Sequence, residues 1–162
     1  MKELYSKEDI IKCGEGKLFE GRIKLPAGNM SMIDRIISID PEGGSYGQGQ
    51  LIAEFDITSD LWFFECHFKD DPVMPGCLGL DALWQLTGFY MGWKGMAGVG
   101  RALGLKELKL SEPVLPDAGK ITYRIDIKKV TNRKLKIGLS DGYVELNGKV
   151  IYSAKDLKVG LF

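Results

Sequence analysis

The chain has 162 residues, enough for a single domain, spanning residues 1–162, that buries roughly 70% of the surface its unfolded form exposes. Apolar residues make up 44% and charged residues 27%, while Lys+Arg and Asp+Glu balance at 22 each. That balance supplies no bulk attraction to nucleic acid or a membrane surface, and no apolar run approaches spanning length, so neither partner is expected. The N-terminus shows no apolar leader, and three cysteines (Cys13, Cys66, Cys77) have no framework spacing, which together point to reduced thiols in the cytoplasm.

Taken in order, Ser6-Lys-Glu-Asp9 has the form of a capping box with Asp in place of Glu, followed by Ile10 and Ile11 and stopped by Gly14. A short amphipathic helix is predicted there. Residues 15 to 30, with Pro26, Gly28 and Asn29, are predicted to be irregular. A β-branched run from Ser31 to Asp40 ends at Pro41-Glu-Gly-Gly44, and a strand is predicted from Gly49 to Ile57. Leu61 to Phe68 is short, apolar and aromatic, and is predicted to be a strand leading into an Asp-Pro turn. From Leu78 to Trp93 apolar residues cover nearly every face at helical periodicity, which predicts a helix wrapped by protein, started by Pro75-Gly76. A glycine-rich segment runs from Gly92 to Gly104.

Only strands are predicted after that. Leu105 to Leu110 has period-two character, and Ile121, Tyr123, Ile125 and Ile127 alternate with Thr122, Arg124, Asp126 and Lys128. Leu135 to Leu139 alternates as well, and Asn147-Gly148 between two apolar runs is a strong hairpin signal. One long helix with about six strands suits an α+β domain whose antiparallel sheet curls around the helix.

Two residues stand out chemically. His67 is the only histidine, and Asp81 lies within the most apolar helix, where a carboxylate is rare unless paired or functional. Both belong to a block that resembles the bacterial 3-hydroxyacyl-(acyl carrier protein) dehydratases, in particular the bifunctional 3-hydroxydecanoyl dehydratase/isomerase branch. The likeness is carried by His67-Phe68, the fifteen residues Asp71 to Gln85, Gly88-Phe-Tyr90, Gly100 to Gly104 and Asp156 to Phe162, and it spans essentially the whole chain. Asp81 fits the bifunctional branch, since relatives without isomerase activity usually carry Glu there. Lys69-Asp70 is a departure, being more charged than the family pattern. The resemblance implies a hot-dog fold, no cofactor or metal, and a homodimer in which the histidine of one subunit faces the acid of the other.

Eliminating water from a 3-hydroxyacyl thioester requires a base for the C2 proton and an acid for the departing hydroxyl. His67 suits the first task because imidazole titrates near working pH; Asp81 suits the second when protonated. Gln85 lies four residues after Asp81 on the same helix face, within reach of its carboxyl. The helix start at Gly76-Cys77 offers free backbone N–H groups for the enolate-like thioester oxygen. The same dyad can move a proton from C4 to C2, converting the trans-2 product to the cis-3 isomer.

A metal set of Cys66, His67, Cys77 and Asp81 has ligand types that zinc accepts, but neighbouring residues on a strand point to opposite faces, which separates Cys66 from His67. The segment Lys120 to Lys136 holds seven basic residues against one acid, Asp126. Lys128, Lys129, Arg133, Lys134 and Lys158 are the candidates for contact with acyl carrier protein, which is acidic. A hot-dog thioesterase and a non-catalytic acyl-binding module are the rival readings.

Overall fold

The computed structural model describes residues 4–162; the first three residues of the expected single domain lie outside the described residues. Ser6 and Asp9 make the predicted capping box, with Ser6 Oγ accepting from the Asp9 N–H and the Asp9 carboxylate accepting from the Ser6 N–H at 2.9 Å. This starts helix α1, Lys7–Gly14, which buries Ile10 and Cys13. Two 3₁₀ turns, Phe19–Gly21 and Gly28–Met30, punctuate the otherwise irregular chain that follows.

Seven strands form one antiparallel sheet: β1 (Arg35–Asp40), β2 (Gln50–Ile57), β3 (Gly100–Gly104), β4 (Glu107–Leu110), β5 (Gly119–Asn132), β6 (Lys136–Leu146) and β7 (Lys149–Leu161). Their order is β1-β2-β5-β6-β7-β3, with β4 also pairing along β7. Period-two alternation sets the two faces: Leu51, Ala53, Phe55 and Ile57 of β2 and Ile121, Tyr123, Ile125 and Ile127 of β5 are all buried. Asn147 and Gly148 both take positive φ, 51° and 79°, the geometry a tight two-residue hairpin between β6 and β7 requires.

Against the inner face lies the 18-residue helix α3, Gly76–Trp93. Leu83, Leu86 and Phe89 are fully buried beneath it, so truncating Leu83 to Ala costs about 3 kcal/mol. The sheet makes room with glycine: a Cβ on Gly142 would lie 2.9 Å from Leu83 and 2.7 Å from Leu157. The helix is not wrapped on every face, however. Cys77, Asp81, Trp84 and Gly88 form a stripe that the chain leaves exposed or half-buried.

Two predicted elements need correction. Leu61 to Phe68 is not a strand: Trp62–Cys66 forms helix α2, and His67 is its C-cap. The turn starts where the Leu61 N–H donates to the Thr58 carbonyl, and both Phe63 and Phe64 are buried, which successive residues of a strand cannot do on one face. A short apolar aromatic run carries no periodicity to separate the two states. The glycine-rich segment also contains strand β3, paired antiparallel to β7 through Arg101 and Gly160. Its four residues Gly100 to Leu103 are all exposed at the sheet edge, so no apolar alternation marks it.

Candidate active site

His67 is held by a closed loop. Its Nδ1 lies 2.8 Å from the Val73 carbonyl, and the Val73 N–H donates to the His67 carbonyl at 2.8 Å. A carbonyl only accepts, so Nδ1 carries the proton and neutral His67 keeps a basic lone pair on Nε2. The Phe68 ring stacks on the imidazole with centroids 4.0 Å apart. Phe68 and Asp71 exchange backbone hydrogen bonds of 2.8 and 3.1 Å, so the charged pair Lys69-Asp70 is confined to the exposed loop tip and does not disturb the imidazole's anchor.

Two residues after Met74, α3 begins without a side-chain cap. Pro75 is the N-cap, and the first bonded amide is that of Leu78, donating to the Pro75 carbonyl. The N–H groups of Gly76 and Cys77 make no backbone or side-chain hydrogen bond among the described residues, which leaves two donors at the positive end of the helix dipole. A Cβ on Gly76 would lie 2.6 Å from Leu110 Cδ1, the tip of a half-exposed side chain that would have to turn aside.

One turn further, Asp81 sits half-buried on the open stripe. Gln85 Nε2 donates to Asp81 Oδ2 at 2.7 Å and to the Met30 carbonyl at 2.8 Å. Among the described residues no cationic side chain pairs with Asp81. Together with Leu25, Trp84 and Val159, Asp81 and Gln85 line a cavity of about 130 Å³. His67 does not line that cavity, and no hydrogen bond joins it to Asp81 among the described residues. Nor do three or more His, Cys, Asp or Glu side chains gather there into a metal set. The strand argument that separated Cys66 from His67 no longer applies; instead Cys66 Sγ turns back onto the Phe63 carbonyl at 3.7 Å, as a helical residue can.

The basic candidates divide. Lys129, Arg133, Lys134 and Lys158 are exposed, and Lys129 and Lys158 flank Leu139 in one row across β5, β6 and β7. Lys128 differs from the other four. It is half-buried and paired with Asp141 at 2.9 Å and Asp156 at 2.5 Å. Burial works against its charge, but the hydrogen bonds to Asp156 and Asp141 outweigh it and raise the ammonium above its ordinary range.

The network around Lys128 is what sequence patterning missed. Asp126 and Asp141 are directly opposite on β5 and β6, and both are fully buried. Ser45, Gln50 and Arg124 donate to Asp126. Tyr46, Lys155 and the Asp156 N–H donate to Asp141. The segment between β1 and β2, rich in glycine and carrying Ser45 and Tyr46, folds over this outer face; nothing in its composition announces a cover.

The FabA-like domain family matches residues 25–155 of the chain. Among solved structures, a chain of the dehydratase heterocomplex ApeI:P from Xenorhabdus doucetiae superposes with a TM-score of 0.63 at 16% identity, covering 85% of this chain and 88% of that one. A thioesterase-like protein related to phenylacetic acid degradation, from Ralstonia eutropha, gives 0.57 at 17% identity, covering 91% and 99%. A sigma28-regulated virulence protein from Campylobacter jejuni gives 0.57 at 13% identity, covering 98% and 93%. At such identities the likeness is one of fold, and the antiparallel sheet curled around α3 is the hot-dog fold. No helix among the described residues is long and apolar enough to cross a membrane.

Proposed function

The chain belongs to the FabA-like family, and from that premise we propose that it dehydrates 3-hydroxyacyl chains of about ten carbons on acyl carrier protein. The trans-2-enoyl thioester formed is then isomerised to the cis-3 form, as a cytoplasmic step of bacterial unsaturated fatty acid synthesis. The observation that carries the proposal is the Nδ1 contact of His67 with the Val73 carbonyl, which leaves Nε2 as the base for the C2 proton. Asp81, free of any cation, is the acid for the hydroxyl at C3, and the Gly76 and Cys77 N–H groups receive the thioester oxygen as it gains charge. Once the proton on His67 has returned to Asp81, His67 takes the C4 proton of the bound trans-2-enoyl thioester and delivers it to C2, so the second step consumes no further acid or base. Incubation with 3-hydroxydecanoyl thioester, with separation of products, tests this. Both enoyl isomers are expected; trans-2 alone reduces the protein to a plain dehydratase, and free thiol with 3-hydroxydecanoate makes it a thioesterase.

The site is shared between two chains in this proposal. Supporting it, Asp81 and His67 do not line one cavity within a chain, the Asp81 stripe is uncovered, and β3 pairs only with β7 while Val99, Leu103 and Phe162 nearby are exposed. A second copy on that edge covers all three features. Refolding inactive His67→Ala and Asp81→Asn proteins together then gives hybrids with one intact site, about a quarter of all sites at statistical mixing. Hybrids confirmed by mass but without recovered activity place the whole site in one chain.

A further inference from the structure

The cavity beside Asp81 runs along α3. Asp81, Trp84, Gln85 and Gly88 all line it, and they are positions i, i+3, i+4 and i+7 of one helix face. At the rise of an α-helix, Gly88 stands about 10 Å beyond Asp81. Gly88 adds no side chain, and a Cβ built there would meet only Val159 Cγ1 among the described residues, at 3.8 Å, so the space in front of it is open. One turn further that space is taken. A Cβ on Gly92 would lie 2.4 Å from Ile23 Cγ1 and 2.5 Å from Ile23 Cδ1, because the Ile23 side chain is packed onto the bare helix backbone there. Ile23 is 4% exposed and lines the same cavity, whereas Gly92 does not. Its β-branched side chain is stiff, and the chain just before it is pinned where the Gly98 N–H donates to the Arg22 carbonyl at 2.9 Å. The cavity therefore follows α3 for two turns from Asp81 and stops at Ile23.

We infer that Ile23, seated on Gly92, is the end wall for the acyl chain, and that the missing side chain of Gly88 makes room for its last carbons, so that these two residues set the longest substrate. This rests on the proposed dehydration, which puts C3 of the substrate at Asp81. From C3 an extended chain advances about 1.3 Å per carbon, a single bond of about 1.5 Å projected at the tetrahedral angle. The seven carbons from C4 to C10 then cover about 9 Å, which brings the terminal methyl level with Gly88 and against Ile23. Two further carbons need about 2.5 Å more along the same line, where Ile23 already fills the space. A longer chain must fold back or drive Ile23 out of a close-packed seat. A side chain at position 88 would occupy the place of the last carbons and shorten the cavity from its floor.

The test is a length series of 3-hydroxyacyl pantetheine thioesters with 6, 8, 10, 12 and 14 carbons, compared by kcat/KM in the whole protein. Wild type should rise to the ten-carbon substrate and fall beyond it. Gly88→Val should raise the ratio of six-carbon to ten-carbon turnover about 30-fold, and Ile23→Ala should raise the ratio of fourteen-carbon to ten-carbon turnover about 10-fold. If Ile23→Ala does not fold, Ile23→Val removes only the outermost methyl and should raise the twelve-carbon to ten-carbon ratio about 3-fold. A folded variant at either position whose length profile parallels that of wild type overturns the wall. Equilibrium binding of saturated acyl pantetheines of the same lengths needs no chemistry. Affinity should rise to ten carbons and stop rising, and Ile23→Ala should let it continue to fourteen; a wild-type affinity that climbs evenly through fourteen carbons also overturns the wall. A wild-type protein that dehydrates no member of the series refutes the function, and the binding series then decides the wall alone.

Discussion

Asp141 meets two ammonium groups, a phenol and a backbone N–H; Asp81 meets one amide. Both carboxylates belong to the same small domain, Asp141 on the outer face of the sheet and Asp81 on the helix the inner face enfolds. Burial pushes the Asp141 carboxyl up, yet the bonds from Tyr46, the Asp156 N–H, Lys128 and Lys155 overcome it and hold the group at about 2. Such a group is committed to its charge and is useless as a proton donor. Among the described residues Asp81 has no cation to commit it, and only Oδ2 of its two oxygens has a hydrogen-bond partner. The difference teaches that, on the proposed mechanism, the acid is marked by the cationic partners it lacks among the described residues.

The sharpest way to break the contrast is to remove the base that makes Asp81's proton useful. His67→Ala should lower dehydration about 10⁴-fold in a protein with wild-type circular dichroism, measured by enoyl absorbance; turnover within about 10-fold of wild type removes His67 from the mechanism. Next comes the exchange of the two acids for amides. Asp81→Asn should lose about 10³-fold in kcat while its unfolding free energy in urea stays within about 0.5 kcal/mol of wild type. Asp141→Asn should do the reverse, losing about 3 kcal/mol because the buried carboxylate that gathers Tyr46, Lys128, Lys155 and the Asp156 N–H is gone, while the folded fraction turns over normally. If the two variants lose activity and stability in the same proportion, the division of labour is wrong.

Much of the scaffold for this contrast is legible in the sequence. The alternation in β5, the Asn147-Gly148 turn and the apolar periodicity of α3 are local signals, and each was realised close to its predicted bounds. His67 and Asp81 stand out as residue types, and the 71–85 block names their family. What could not be read is where tertiary cover arrives. Asp126 follows the polar phase of β5 and so looks solvated, yet the 41–49 segment buries it. Asp81 follows the apolar phase of α3 and so looks buried, yet within one chain its stripe is open. His67 was placed on a strand because Leu61 to Phe68 is too short to show a period; the helix forms because Phe63 and Phe64 both reach the core.

Acid titration sharpens the contrast further. The Asp141 carboxyl is depressed from an ordinary value of 3.8 to about 2 on folding, so its contribution is fully present above about pH 4 and is lost as the pH falls through about 2. The expected size is about 2 kcal/mol. Urea unfolding of wild type between pH 5 and pH 2 should show this loss, and Asp141→Asn should flatten it. An unchanged slope in the variant assigns the acid sensitivity to other carboxylates, with the Arg35 partners Glu54 and Asp56 next in line.

The same division runs through the cations and sets the smallest effect. Lys128 is bound into the Asp141 network, whereas Lys129, Arg133, Lys134 and Lys158 are exposed and make no ion pair among the described residues, which suits them to the proposed acidic carrier. Exposed charges act mainly on encounter, so reversing Lys129 and Arg133 to Glu should raise KM for carrier-bound substrate about 5-fold and weaken its salt dependence, with kcat and stability little changed. A pantetheine thioester presents no acidic surface and should be turned over as before. Lys128→Met should behave in the opposite way, losing stability through the unpaired Asp141 while leaving KM for the carrier near wild type. An equal rise in KM for both substrates makes the exposed patch structural. A carrier-specific rise in Lys128→Met at unchanged stability returns that residue to the docking surface and erases the distinction between the two kinds of lysine.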